Sequence, residues 1–504
     1  MGIRRHTAVT SAALLATVLA VTLVGCDPIP GGGVISTVGE VDFDTPLAIP
    51  PLAESTTDAD GRRIFDLTAE SGETAFRSGA ATSTAGFNQS YLGPTLVAEA
   101  GDEVVVNVHN ELDESTTVHW HGMHLPAAAD GGPHSLIEAA DTASPSWTID
   151  QNAATLWYHP HLDGETERQA ASGLDGLFIV QDAAESALPL PRDYGVDDIP
   201  VIVQDVRFDE SNQFSSDVQG YIGAIGNELL VNGTVGPYLE VTTDLVRLRL
   251  LNASTARSYD FGFADARTFS LIATDGGLLR APVPTGHVQL SPGERAEILV
   301  AVEPGETAVL RSNPPDLGQD AVQAQKNAGA DSFDVLELRA SAALRSVATV
   351  PETLVPMTAL APADAAVTRT FTLSDSTING KRMDMRRVDA AVTLGTTEVW
   401  SVSNSMAQPH NFHVHGVQFQ ILTVDAEPPS PELAGWKDTI FVPPGGQIRI
   451  IMRFDDYSDP AAPYMFHCHL LTHEDDGMMG QFVVVRPGEL PAVELESMDM
   501  NHGG

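Results

Sequence analysis

Four histidine pairs in this chain share one spacing: His119 and His121, His159 and His161, His413 and His415, and His467 and His469. Sixteen histidines scattered over 504 residues would give fewer than one such pair by chance. Residues i and i+2 of an extended strand face the same side, so each pair is a two-pronged nitrogen donor. Eight imidazoles are too many for one metal ion but suit three, with three ligands on each of two ions and two on the third. The last pair brackets Cys468, which must then face the other way. His410, Cys468, His473 and Met478 remain as a second set. Two imidazoles, a thiolate and a weak axial thioether suit copper better than zinc or iron. Cys468 would bind one metal while its two neighbours bind others, so an electron would have few bonds to cross between the centres. Such an arrangement fits a reaction that takes electrons singly and uses them together.

Strands must position these donors. No window keeps a helical period for long, whereas alternating apolar runs recur: "DEVVVNVHNEL" (102–112), "GLFIVQD" (176–182), "LVRLRLLN" (245–252), "AEILVAVEPGE" (296–306), "TEVWSVSN" (397–404), "GQIRIIMRFDD" (446–456) and "GQFVVVRPGE" (480–489). Turn sequences such as "DGG", "NGT" and "PPGG" separate them, and 43 glycines and 33 prolines favour many short strands. The expected fold class is all-β, built from antiparallel sandwiches or barrels. Pro-rich joints near 187–200 and 345–366 divide the chain into three domains, about 46–185, 196–345 and 366–488. A net charge of −41 excludes nucleic acid and anionic lipid as partners. His6, His109, His124, His134, His287 and His502 have no partner at ligand spacing and read as surface or structural residues. His124 and His134 stand near enough to the first pair to support it from behind.

The beginning of the chain reads as an address. Arg4 and Arg5 precede an apolar run, Ala12 to Val24, which is too short to span a membrane. "LVGC" then ends the run in the manner of a bacterial lipobox, making residues 1–26 a lipoprotein signal and Cys26 a lipidated anchor. Localisation would be periplasmic or cell-envelope, with 27–45 a Gly- and Pro-rich tether. Cys468 is the one other cysteine, so no internal disulfide is expected. Residues 489–504, with Met498, Met500 and His502, read as a free tail.

The four histidine motifs resemble those of the multicopper oxidases, in particular the three-domain, laccase-like bacterial branch. "WYHPHLDGET" (157–166), "LRLLNASTARS" (248–258), "TDGGLL" (274–279), "INGKRMDM" (378–385) and "LGTTEVWSVSN" (394–404) resemble family segments in family order, so the likeness covers roughly 90–490. It implies three cupredoxin-like Greek-key barrels, with a cluster between the outer two and the middle one a spacer. Four coppers are implied: type 1 on His410, Cys468, His473 and Met478, and type 2 on His119 and His413. One type 3 ion would take His121, His159 and His469, and the other His161, His415 and His467. The implied reaction reduces O2 to water with electrons from a small reducing substrate. Asp130 and Glu474 match the acids that deliver protons in the family. A thioether at Met478 implies a low to medium potential.

Cuprous-oxidising members carry a Met-rich insertion that the stretch 345–378, with Met357 alone, lacks. "SMAQPH" before His410 also lacks their substrate-copper ligands, although Asp475 and Met406 lie near. Phenols, aromatic amines or similar donors are therefore favoured. Cu(I), Mn(II) or Fe(II) is the alternative, supported by the run Glu474-Asp475-Asp476. A non-catalytic envelope module on the same fold is the second alternative. A monomer is expected.

Overall fold

The computed structural model describes Gly2, 33–215 and 221–492. The expected signal and Cys26, the start of the tether and the tail residues Met498, Met500 and His502 lie outside those residues. Six β-sheets face one another in three pairs, each pair closing on its own apolar core. The alternating runs become strands close to their expected limits: Glu103–Asn110, Gly176–Gln181, Leu245–Asn252, Arg295–Ala301, Thr396–Asn404, Gln447–Phe454 and Met479–Val485. Several of them bury polar residues as well, and Leu245–Asn252 does so along its whole length. All of Leu245–Asn252 is buried, Arg247 and Arg249 included, because the first domain covers its outer face. Arg249 Nη1 donates to Thr155 Oγ1 at 2.7 Å across that join.

Two expectations need correction here. The stretch 27–45, read as a tether, is packed on the middle domain over its described part. The Ile35 amide donates to Asp331 at 2.8 Å, the Gly39 amide to Asp334 at 2.8 Å, and Phe43 is buried. Thr45–Pro46 then adds a parallel strand to Pro237–Thr243. Apolar Ile35 and Leu47, scattered among the prolines and glycines, find a place on that core. The second correction concerns the histidine pairs. Only the first lies wholly within a strand; the others straddle strand ends.

The elements that carry the donors are β1 (His119–His121), β2 (Ala154–His159), β3 (His410–Val414), β4 (Thr439–Val442), β5 (Asp459–His467) and β6 (Met479–Val485). Two short helices, α1 (Thr166–Ala171) and α2 (Leu471–Asp475), follow β2 and β5. In the first domain β1 is antiparallel to β2, with His119 opposite His159. In the third domain β3 lies between β4 and β5, with His413 opposite His467. Tilted and edge-to-face aromatic contacts fill the core beside both sheets: Trp120, Trp147 and Phe178 in the first domain, Phe371, Trp400 and Phe466 in the third.

Candidate metal centre

Where a pair runs past its strand, another backbone or side-chain group keeps the chain extended. The His161 amide donates to Thr117 Oγ1 at 2.6 Å, the His415 amide to the Met465 carbonyl at 3.0 Å, and the His469 amide to Asn411 Oδ1 at 2.5 Å. Both members of each pair thus still face one space, between the first and third domains. His119 Nε2 lies 3.4 Å from His413 Nε2, and His121 Nδ1 lies 3.3 Å from His159 Nε2. His467 Nε2 lies 3.0 Å from His415 Nε2 and 3.2 Å from His161 Nε2. The ring of His469 stands 4.9 Å from that of His121 and 5.2 Å from that of His159. Every one of these side chains is buried.

The tautomers follow from what sits behind each ring. Carbonyl oxygens only accept, so a ring nitrogen bonded to one carries the proton. His119 Nδ1 donates to the Asp130 carbonyl at 3.0 Å, His413 Nδ1 to that of Asp438 at 2.9 Å, and His159 Nδ1 to that of Pro160 at 2.7 Å. His467 Nδ1 donates to the Cys468 carbonyl at 3.1 Å, and His415 Nδ1 to Asp130 Oδ2 at 2.7 Å. His121 is reversed, with Nε2 on Asp438 Oδ1 at 3.0 Å. Six lone pairs therefore point at one another across gaps of 3.0–3.4 Å, which is repulsive unless cations lie between them. Burial, reinforced by neighbouring imidazoles, pushes His119, His121, His159, His413, His415 and His469 well below the usual imidazole range and His161 to about 4. Neutral imidazole is the ligating form. The donor set fits the copper cluster that the resemblance implies.

The second set converges on the far side of β5. Cys468 Sγ lies 3.6 Å from His410 Nδ1 and 3.7 Å from His473 Nδ1, and these two nitrogens are 3.1 Å apart. Met478 is fully buried, and its carbonyl accepts from the Cys468 amide at 3.1 Å. Burial, with the Glu474 charge adding to it, pushes the Cys468 thiol up to about 12, and burial together with His473 brings the pKa of His410 down to about 3. A thiol so placed becomes a thiolate when a cation binds beside it. The outer nitrogen of His473 reaches the Tyr221 carbonyl at 3.2 Å, so this ring meets the surface at an exposed tyrosine.

Asp130 and Glu474 both lie against the histidine rings, in contrasting settings. Asp130 is buried, which pushes its carboxyl up, and its Oδ1 has no hydrogen-bond partner. A Cβ on Gly131 would fall 1.7 Å from the Val118 carbonyl, so glycine (φ +77°) is what lets this turn bring Asp130 against β1. Glu474 Oε2 lies 3.0 Å from His467 Nδ1 and Oε1 3.3 Å from His161 Nδ1. Burial opposes its charge, but these two imidazoles outweigh burial and hold the carboxyl below its usual range.

Other candidates fall elsewhere. His124 pairs with Asp456 at 3.3 Å and His134 with Gln481 at 2.8 Å, so neither backs a ring of the cluster. Asp475 is tied to the first domain. Its two oxygens accept from the amides of Thr166 and Glu167, both at 2.9 Å, at the start of α1. Met406 touches Ser374 Oγ at 3.9 Å.

Three supports went unseen in the sequence. Asp438 bonds His121 and is held bidentately by Arg295 at 2.7 and 2.6 Å. Asn411 accepts from the His469 amide and approaches Cys468 Sγ at 3.5 Å, while its Nδ2 donates to the Pro292 carbonyl at 2.8 Å. Gly293 packs so close that a Cβ there would lie 3.0 Å from the His469 ring. Arg295, Pro292 and Gly293 belong to the middle domain, which is therefore a third wall of the centre and more than a spacer. The available signals were a Lys-Asp pair inside the apolar run 436–442 and an arginine opening the strand Arg295–Ala301. Neither says what it would meet.

A family model described as multicopper oxidase matches residues 68–185, and a second with the same description matches 354–488. The chain is 34% identical over 445 residues to "Multicopper oxidase mco" of Staphylococcus haemolyticus, covering 87% of this chain and 92% of that one. It is 37% identical over 443 residues to "Cell division protein FtsP" of Escherichia coli, with the same coverage of 87% and 92%. Among solved structures, a laccase from Pediococcus acidilactici superposes with a TM-score of 0.79 at 35% identity, covering 87% of this chain and 93% of that one.

Proposed function

The chain belongs to the multicopper oxidases, and on that premise we propose a laccase-like enzyme that oxidises small organic donors one electron at a time. His410, Cys468, His473 and Met478 would hold one copper, and the four histidine pairs three more, divided as the resemblance implies. When bound there, copper would supply one-electron uptake at the single centre and reduction of O2 to two waters at the cluster. The observation that carries the reading is the set of six lone pairs turned into one buried space, with Cys468 beside it.

The chain's own groups do the rest. Cys468 shares its backbone with His467 and His469, which shortens the path between centres. Asp438, Asp130 and the Pro160 carbonyl orient the rings from behind, so little reorganisation remains when metal binds. Asp130 Oδ1 and the Glu474 carboxylate are buried acceptor atoms beside the cluster, suited to holding and passing protons. Both Asp475 oxygens are bonded to the amides that open α1, which supports a scaffold role for this acid. Export by residues 1–26, with a lipid on Cys26, belongs to the same proposal and rests on "LVGC".

The likeness to FtsP keeps a non-catalytic envelope role as the second reading. Oxygen uptake by copper-loaded protein decides between them, with guaiacol, Cu(I) or Fe(II) offered at matched concentration. Uptake with guaiacol that falls to background in Cys468→Ser supports the laccase reading. Uptake with a metal ion alone moves the assignment to metal oxidation. No uptake from protein holding copper leaves the envelope role.

A further inference from the structure

We infer that Asn411 sets the potential of the single-copper centre through a side-chain carbonyl oxygen held against the Cys468 sulfur. The inference rests on the copper reading above and adds to it a positioning residue outside the ligand set. Asn411 follows His410 in β3, and its side chain is fully buried beside Cys468. Its Oδ1 lies 3.5 Å from Cys468 Sγ and accepts from the His469 amide at 2.5 Å. Its Nδ2 donates to the Pro292 carbonyl at 2.8 Å and to Ser291 Oγ at 3.2 Å. A backbone amide only donates and a backbone carbonyl only accepts, so these contacts fix which end of the side-chain amide is oxygen. Turning it over would set donor against donor and acceptor against acceptor. The middle-domain turn that grips Nδ2 is closed in its own right. The Ser291 amide and hydroxyl both donate to Glu294 Oε2 at 2.7 Å, and Gly293 lies against the His469 ring.

An oxygen held in this way meets a different sulfur once a metal ion is bound. The free thiol can donate to Oδ1, whereas a ligating thiolate has no proton to give. The negative end of the Asn411 amide dipole then faces the charged sulfur, in a site with no exposure to water. The oxidised centre carries one more positive charge than the reduced one, so a negative dipole beside it favours the oxidised state. Asn411 therefore lowers the potential. The backbone amides of Asn411 and Leu470 favour the thiolate and pull the other way, but they stay in place when the side chain is exchanged. A lowered potential restricts the centre to strongly reducing donors. It also leaves more driving force for passing each electron on to the cluster.

Titration of copper-loaded protein under nitrogen against the ferrocyanide/ferricyanide couple, followed at the visible band of the Cys468 centre, reads the potential without turnover. Asn411→Leu replaces the amide with an apolar group of the same branching. At a fixed ratio of the couple, the proportion of reduced to oxidised centre is expected to rise about tenfold, equivalent to about 59 mV for one electron. Ser291→Ala removes only the longer of the two bonds to Nδ2, keeps Oδ1 on the sulfur, and is expected to leave that proportion unchanged. If Asn411→Leu costs the centre its band, Asn411→Ala takes its place, removing the same oxygen without bulk. Three results overturn the proposal: loss of the band in both Asn411 variants, an unmoved or lowered proportion in one that keeps its band, or an equal rise in Ser291→Ala. Absence of any visible band from unmodified protein that has taken up copper removes the single-copper reading instead.

Discussion

Two regions of this molecule bury polar groups equally deeply and to opposite ends. In the middle domain Arg247 and Arg249 are sealed under the first domain, yet Glu297, Asp198 and Glu185 meet their guanidinium groups at 2.6–2.9 Å. At the histidine centre six of the eight rings are held from behind, and inward nitrogens face one another. The first region is complete as protein. The second is complete only with cations, because buried donors that cannot pair with each other need a ligand to pair with. The contrast teaches where to look for chemistry in a β-sandwich: at buried polar atoms whose partners are lacking, since charge alone marks scaffold as often as site.

Arg295 and Asp438 are where the two regions touch, so breaking that pair has the largest expected effect. Arg295→Met leaves a fully buried carboxylate unpaired and should lower the unfolding free energy by about 3–5 kcal/mol in urea titrations. It also frees Asp438 from the position that orients His121, so copper per chain should fall while the band of the Cys468 centre persists. Adding Asp438→Asn removes the unpaired charge, and the double variant should be more stable than Arg295→Met alone. If Arg295→Met loses stability but keeps its full copper, the middle domain holds the fold and has no hold on the cluster.

The self-satisfied region should reveal itself by pH. Burial works to raise the Glu297 pKa, but Arg247 and Arg249 outweigh it and bring the group from 4.5 to about 2. A carboxylate held below its unfolded value adds stability that is fully present above 4.5 and is lost as pH falls toward 2. The amount is about 3 kcal/mol for a shift of that size. Unfolding free energies across that window should show this slope in the native chain and lose it in Glu297→Gln. A slope that survives the substitution would place the acid sensitivity elsewhere.

The two regions also differ in how far the amino-acid order betrays them. Ligand positions were legible because strand geometry converts a local spacing of two into a shared direction, and Cys468 declares itself by lying between two such residues. The strands were legible for the same reason. What lies behind the ligands was hidden, because Asp438, Asn411 and Arg295 are brought there by pairing between elements more than a hundred residues apart. The arginines of Leu245–Asn252 look like an ordinary solvent face until the first domain covers them. Residues 33–45 look like a linker because their few apolar side chains match no local period and find partners only on the middle domain.

Asp475 sits on the border between the two kinds of region, and gives the smallest and most discriminating test. Its sequence neighbours, His473 and Glu474, belong to the centre, yet its oxygens are satisfied by the amides of Thr166 and Glu167. If it is scaffold, Asp475→Asn keeps one acceptor for two donors and should cost about 1 kcal/mol of stability. The rates with guaiacol and with Cu(I) should then change alike and little. If it is a ligand for an arriving metal ion, Cu(I) oxidation should fall steeply while guaiacol oxidation and stability hold. Measuring both rates and the unfolding midpoint on one preparation separates the two, because loss of a scaffold carboxylate lowers stability and leaves the ratio of the two rates unchanged, whereas loss of an ion's ligand changes that ratio.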